Sequence, residues 1–224
     1  MSVKYELVIF DLDGTLVDTI EDLGTAVKYA LSLRKLPEHT MEEYRGMVGH
    51  GVRNLVEVAL PEQQRDSATV DSCLADFLTY YKAHIDVNTR PYDGMQDLLS
   101  RLSAEGAKLA VASNKFQEGT ETIVGKFFGN IPFVAICGNR EGFPLKPDPE
   151  LVEHIVACAF PGETASGRSV VLVGDSDTDM KTAANASIPA VAVTWGFRSV
   201  DELKAAGASV FAGSAGELAT RLGL

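Results

Sequence analysis

Several short runs in this chain are apolar at every position rather than at every second one: Leu7-Val8-Ile9-Phe10, Leu109-Ala110-Val111-Ala112, Val170-Val171-Leu172-Val173 and Ala190-Val191-Ala192-Val193. A strand of that kind needs cover on both faces, and a parallel sheet between two layers of helices provides it. The intervening stretches carry apolar residues at helical spacing. From Gly94 onward the pattern predicts helix 95–105, strand 108–112, helix 116–128, strand 133–136 and helix 149–159. It continues with strand 169–173, helix 178–186, strand 190–194, helix 200–206, a short strand 209–211 and helix 215–222. The predicted fold class is α/β, a doubly wound parallel sheet.

The stretch after the first strand breaks this alternation. No strand is expected between Val17 and Asn88; helices are predicted at 19–33, 41–45, 51–60 and 63–85. Asp18 or Thr19 is placed to cap the first, and Val70, Leu74, Phe77, Leu78 and Tyr81 share one face of the last. A helical block of this size is too long for an ordinary crossover. It reads as an insertion, a small α-helical cap over 17–89 on a core made of 1–16 and 90–224, with 89–94 as the return hinge.

The first strand ends on two carboxylates one residue apart, Asp11 and Asp13, followed by Gly14. Side chains at i and i+2 of an extended chain point the same way, so both acids address one volume beyond the carboxyl end of the strand, where open α/β sheets bind ligands. Three more predicted strand ends carry polar groups: Ser113-Asn114-Lys115, the segment reaching Lys146-Pro147-Asp148-Pro149, and Gly174-Asp175-Ser176-Asp177-Thr178-Asp179. In a parallel sheet these share one edge. Asp11, Asp13, Asp175 and Asp179 offer the hard oxygen ligands that Mg²⁺ takes, and Ser113, Asn114 and Lys146 suit phosphoryl oxygens. The Asp175-x-Asp177-x-Asp179 spacing imitates the start of a calcium loop, but Met180 and Ala186 stand where that loop needs glycine and glutamate.

Composition excludes other partners. Asp plus Glu number 31 against 20 Lys plus Arg, a net charge of −11 that opposes nucleic acid and anionic membrane surfaces. No apolar run reaches membrane-spanning length and no signal-like apolar region precedes the first strand, so a cytoplasmic protein is expected. Cys73, Cys137 and Cys158 are too few and too far apart for a disulfide framework or a zinc site. His39, His50, His84 and His154 lack metal-ligand spacing.

Asp11-Leu12-Asp13-Gly14-Thr15-Leu16-Val17-Asp18, Ser113-Asn114, Lys146-Pro147-Asp148-Pro149 and Gly174-Asp175 through Asp179, in this order, resemble the four motifs of the haloacid dehalogenase superfamily. The helical insertion resembles that superfamily's small cap, and Val193-Thr194-Trp195-Gly196-Phe197 resembles a segment of its phosphoglycolate phosphatase branch. The resemblance implies a Mg²⁺-dependent phosphatase of small phosphate monoesters. Asp11 is then the nucleophile, Asp13 the general acid and base, and Asp11, the Asp13 carbonyl and Asp175 the metal ligands. Thr15, Ser113, Asn114 and Lys146 would serve the phosphoryl group, and Asp179 would support Lys146. Trp195 is a family marker only.

In the cap, Gly46, Gly49 and Gly51 bracket His50 and precede Arg53, a flexible and locally basic loop. In capped members such a loop closes over the phosphate site, which makes His50 and Arg53 candidate substrate contacts. Alternatives with the same motifs are a phosphosugar mutase, a pyrophosphatase or a nucleotidase. A phospho-accepting signalling module fits less well, since it needs neither lid nor general acid. The partner is a small phosphorylated metabolite, and a monomer or homodimer is expected.

Overall fold

The computed structural model describes residues 3–224. Its centre is β1 (Leu7–Phe10), buried at all four positions. Alternation divides this strand between two layers. Leu7 and Ile9 join Leu151, Val152, Ile155 and Val156 of α7 (Glu150–Ala159) on one face, while Val8 and Phe10 join the larger cluster on the other.

β1 pairs in parallel with β4 (Lys108–Phe116) on one side and β6 (Val170–Gly174) on the other. With β5 (Phe133–Asn139), β7 (Ala190–Val193) and β8 (Phe211–Ala212), the order across the sheet is β5-β4-β1-β6-β7-β8. The chain winds outward from β1 through β4 to β5, then returns to β6 and winds the other way. The carboxyl ends of β1, β4 and β6 therefore flank the switch point at which such sheets form their crevice. Among the described residues α7 is joined in the crossovers and at the end of the chain by α5 (Met95–Ala104), α6 (Gln117–Phe128), α8 (Asp177–Asn185), α9 (Val200–Ala205) and α10 (Ala215–Leu222).

The block after β1 is helical, with α1 (Ile20–Ser32), α2 (Met41–Met47), α3 (Val52–Ala59) and α4 (Ser67–His84). The chain leaves and re-enters the core through two short antiparallel strands, β2 (Val17–Asp18) and β3 (Arg90–Pro91), which pair Val17 with Pro91 and Asp18 with Arg90. The sequence reading has no strand there, because two residues show no periodicity. The α1–α4 unit buries Tyr44, Phe77 and Tyr81 completely. Asp22 of α1, 3% exposed, fastens the return: its carboxylate accepts from the Asn88 and Thr89 backbone N–H groups, the Asn88 amide and the Thr89 hydroxyl at 2.8–3.0 Å.

Local chemistry sets the remaining helix boundaries. Asp66 accepts from Thr69 N at 3.0 Å, so α4 starts at Ser67 and a 3-10 turn at Glu62–Gln64 precedes it. Thr40 and Glu43 form a reciprocal capping box on α2, as do Ser199 and Glu202 on α9. At α1 the start differs from expectation. Asp18 accepts from Ile20 N at 3.2 Å, and the Thr19 hydroxyl is buried without a partner. β4 runs on through Ser113, Asn114 and Lys115 to Phe116, past the expected end at Ala112, because Phe116 regains pairing with Asn139 after a register shift.

Candidate active site

Beyond the carboxyl edge of the sheet lies a pocket of about 530 Å³, open mouth included, roofed by the α2–α3 segment. Asp11 follows β1 directly, and its backbone N–H still pairs with the Val173 carbonyl at 2.9 Å, which keeps the residue in line with the sheet. Its Oδ1 accepts from Leu12 N at 2.7 Å and lies 2.7 Å from the Lys146 ammonium. Oδ2 has no donor among the described residues.

Asp175 ends β6 and is held from two directions. Oδ1 accepts from the Thr15 hydroxyl at 2.8 Å and Oδ2 from Phe197 N at 2.7 Å. Two glycines make room for it: a Cβ on Gly14 (φ +88°) would lie 2.3 Å from Asp175 Oδ2, and one on Gly196 would lie 2.3 Å from Asp175 Cβ. Trp195 braces the same turn by donating Nε1–H to the Thr15 carbonyl at 3.1 Å.

Asp179 is placed by the start of α8. Ser176 caps the helix by accepting from Asp179 N, and Asp179 Oδ2 accepts in return from Ser176 N (3.0 Å) and Oγ (2.6 Å). Its Oδ1 meets Lys146 Nζ at 2.6 Å. The helix beginning at Asp177 is incompatible with a calcium loop.

Carboxylate oxygens of Asp11, Asp175 and Asp179 lie within 4.8 Å of one another, all buried. Burial first, and the Asp179 charge second, push Asp175 up to about 7. Burial, with the charges of Asp179 and Asp175 against that of Lys146, raises Asp11 well above the carboxylate range. Burial alone would lower Lys146, but Asp11 and Asp179 outweigh it and hold the ammonium above the ordinary lysine value. Formal charge explains the pattern: one lysine faces three carboxylates, leaving two negative charges in a dry site. That surplus and the all-oxygen donor set fit a divalent hard cation.

Asp13 has its own partner. Lys115 Nζ lies 3.0 and 3.2 Å from its two oxygens and 2.6 Å from the Tyr81 hydroxyl of α4. The Lys115 side chain is only 1% exposed, so the pair is screened from water except through the pocket. The sequence reading gives Lys115 and Tyr81 no role; the signal available was the lysine directly after Ser113-Asn114.

The remaining candidates divide. Ser113 lines the pocket and its hydroxyl accepts from Lys115 N at 3.2 Å, leaving its own O–H to donate. Asn114 also lines it, but its amide is engaged: Oδ1 accepts from Lys146 N at 3.0 Å, and Nδ2 donates to the carbonyls of Lys146 (3.1 Å) and Gly49 (3.2 Å). Asn114 thus sets the Lys146 loop and touches the roof. Thr15 serves Asp175 rather than the open space. The roof contributes Gly49 and Gly51 backbone to the pocket, while His50 turns away toward α8, 3.4 Å from Thr178 Oγ1 and 3.9 Å from Asp177 Oδ1. Arg53 lies on the outer side of α3, half exposed and paired with Asp71. Neither His50 nor Arg53 is among the residues lining the pocket. Leu23, Val52, Leu55 and Phe197 supply an apolar wall that the motifs do not reveal.

The family model described as haloacid dehalogenase-like hydrolase matches residues 8–193. A phosphoglycolate phosphatase of Mesorhizobium japonicum is 35% identical over 193 residues, covering 85% of this chain and 83% of its own length. An N-acetylmuramic acid 6-phosphate phosphatase of Pseudomonas aeruginosa is 30% identical over 196 residues, covering 87% and 84%. Among solved structures, a protein of Lactobacillus delbrueckii subsp. bulgaricus superposes with a TM-score of 0.89 at 32% identity, over 99% of this chain and 100% of that one. Similarity that runs through the sheet, the helical insertion and all four motif-bearing segments makes this chain a member of the haloacid dehalogenase-like hydrolase family.

Proposed function

We propose that the protein is a Mg²⁺-dependent phosphatase of small phosphate monoesters, with 2-phosphoglycolate the first ester to test, and that the reaction passes through an aspartyl phosphate, an acyl phosphate formed on Asp11. The observation that carries this reading is the division of labour between the two acids of the opening motif. Asp11 has one oxygen pinned by Leu12 N and Lys146 and the other bare, as a nucleophile needs. Asp13 lies in the same pocket on a separate partner, Lys115, as a proton carrier needs.

Asp11 Oδ2 attacks phosphorus, the phosphorus–oxygen bond to the alcohol breaks, and Asp13 delivers a proton to the departing alkoxide. Water then attacks phosphorus, Asp13 takes its proton back, and Asp11 is released with inorganic phosphate. Lys146 and Ser113 meet the phosphoryl oxygens, since phosphoryl transfer asks mainly for positioning and charge stabilisation. Asp11, Asp175 and the Asp13 carbonyl would hold the Mg²⁺, which supplies charge neutralisation between the carboxylate and the phosphate when bound. The insertion over 17–89 acts as the lid, and its apolar wall excludes water. The relatives named as phosphatases at 30–35% identity support the reaction class.

The test is release of inorganic phosphate from a panel of phosphate monoesters with Mg²⁺, for wild type and Asp11→Asn. Turnover by wild type and none by the folded variant is expected. A folded wild type that releases phosphate from no ester would overturn the reading.

A further inference from the structure

Of the three cations lining the pocket, two meet carboxylates and one does not. Lys146 faces Asp11 and Asp179, and Lys115 faces Asp13. Arg198, just after β7 and only 9% exposed, has no carboxylate within ion-pair distance among the described residues. Its Nη1 donates to the Arg45 carbonyl at 2.9 Å and its Nη2 to the Val48 carbonyl at 2.5 Å. Those bonds use two of five guanidinium N–H groups. The acids closest in charge, Asp177 and Glu202, feel Arg198 without pairing to it.

The surroundings of Arg198 favour an anion. A Cβ on Gly49 would lie 3.3 Å from Nη2, so the roof presents backbone rather than side chain here. α3 starts at Gly51 in the same roof segment with no side-chain cap, and Gly51 and Val52 both line the pocket. Leu55 and Phe197 keep this part of the wall apolar, which strengthens a charge-assisted hydrogen bond. Phosphate is already provided for by Lys146 and the metal site. A third buried cation in the same pocket, with no carboxylate paired to it among the described residues, calls for a second negative group on the same substrate.

We propose that Arg198 is a specificity-determining residue that binds a carboxylate on the alcohol portion of the ester, so that the substrate class is the phosphate monoesters of hydroxy acids. This inference rests on the phosphatase reading. The compounds in the names of two relatives, phosphoglycolate and N-acetylmuramic acid 6-phosphate, differ greatly in size yet each carries a carboxylate in addition to its phosphate. Because the same guanidinium ties the core to the α2–α3 roof, carboxylate binding and roof position are coupled through it.

The test compares acid and neutral esters in matched pairs: 2-phosphoglycolate with 2-hydroxyethyl phosphate, and N-acetylmuramic acid 6-phosphate with N-acetylglucosamine 6-phosphate. Wild type, Arg198→Gln and Arg198→Lys are assayed for kcat and KM. Wild type should prefer the acid member of at least one pair, and that preference should fall about 10- to 100-fold in Arg198→Gln, mainly through KM, with Arg198→Lys intermediate. A roof clasp alone would slow both members of a pair together and leave the ratio intact, which overturns the inference. A wild type that shows no preference, or prefers the neutral members, overturns it without recourse to a variant. Turnover of none of these esters while others release phosphate overturns the inference alone; turnover of no ester at all overturns the phosphatase reading beneath it.

Discussion

Replacing Gly196 by alanine probes how tightly the site is built. The new methyl carbon would fall 2.3 Å from Asp175 Cβ and 2.4 Å from its Oδ2, where ordinary contact begins at 3.4 Å. Asp175 is held against retreat, because the Thr15 hydroxyl binds Oδ1 and the Gly14 backbone also runs close to the carboxylate. The backbone after β7 must therefore move by about 1 Å, carrying with it the Phe197 N–H that donates to Asp175 at 2.7 Å. Overpacking costs about 1–3 kcal/mol and the weakened bond to a charged acceptor about 1.5–3 kcal/mol, for a total of about 2.5–6 kcal/mol. In a chain of this size that lowers Tm by roughly 5–24 °C. Displacement of a metal-site carboxylate by about 1 Å should also reduce kcat on the order of 100-fold. Differential scanning calorimetry and phosphate release on the same preparation give both numbers. If Gly196→Ala kept Tm within about 2 °C of wild type and kcat within about threefold, the close approach would be shown not to constrain Asp175, and the packing argument would fail.

Three further outcomes are expected. Arg53→Ala should leave kcat/KM within about twofold for every ester turned over, since its exposed pair with Asp71 lies on the far side of α3; a loss above about tenfold would return Arg53 to the substrate. Asp22→Ala leaves the donors of Asn88 and Thr89 without their acceptor and should lower stability by about 3–5 kcal/mol in chemical denaturation, with Asp22→Asn milder; a change under about 1 kcal/mol would mean the hinge holds without it. Metal and pH should act together. Asp175 is raised from 3.8 to about 7 in the folded chain, so the metal-free protein binds its proton more readily folded than unfolded and loses stability as pH rises from about 4 through 7, by up to about 4 kcal/mol. Mg²⁺ should remove that loss, giving a Tm gain that is small near pH 5 and larger above 7; a gain independent of pH would contradict it.

The sheet and the acid-bearing strand ends were legible because their signals are local. A strand apolar at every position can be buried on both faces only in a covered sheet, and the carboxyl ends of parallel strands share an edge wherever they stand in the sequence. Asp11, Asp13 and Asp175 follow from that rule and a four-motif resemblance. The Ser176–Asp179 capping box is equally local, since four residues contain both bonds. What stayed hidden depends on direction rather than position. His50 and Arg53 sit in the loop and helix where a lid contact was expected, yet one side chain turns to α8 and the other to Asp71. Residues one or two apart on a turn or a short helix can face opposite sides, and only packing selects which.

Sequence alone determined the fold class, the helical insertion after the first strand and the strand ends that carry the acids, all properties of residue type and period. Tertiary structure decided which charges neutralise one another. Lys115 reaches Asp13 across 102 residues, Lys146 joins Asp11 to Asp179, and Arg198 reaches back 150 residues to the roof and meets no acid among the described residues. Under the proposed function, those pairings distinguish the carboxylate that attacks, the one that carries the proton and the cation that meets the substrate. They arise because charges buried in a shared low-dielectric pocket act on one another across any sequence separation, and no pattern along the chain carries that distance.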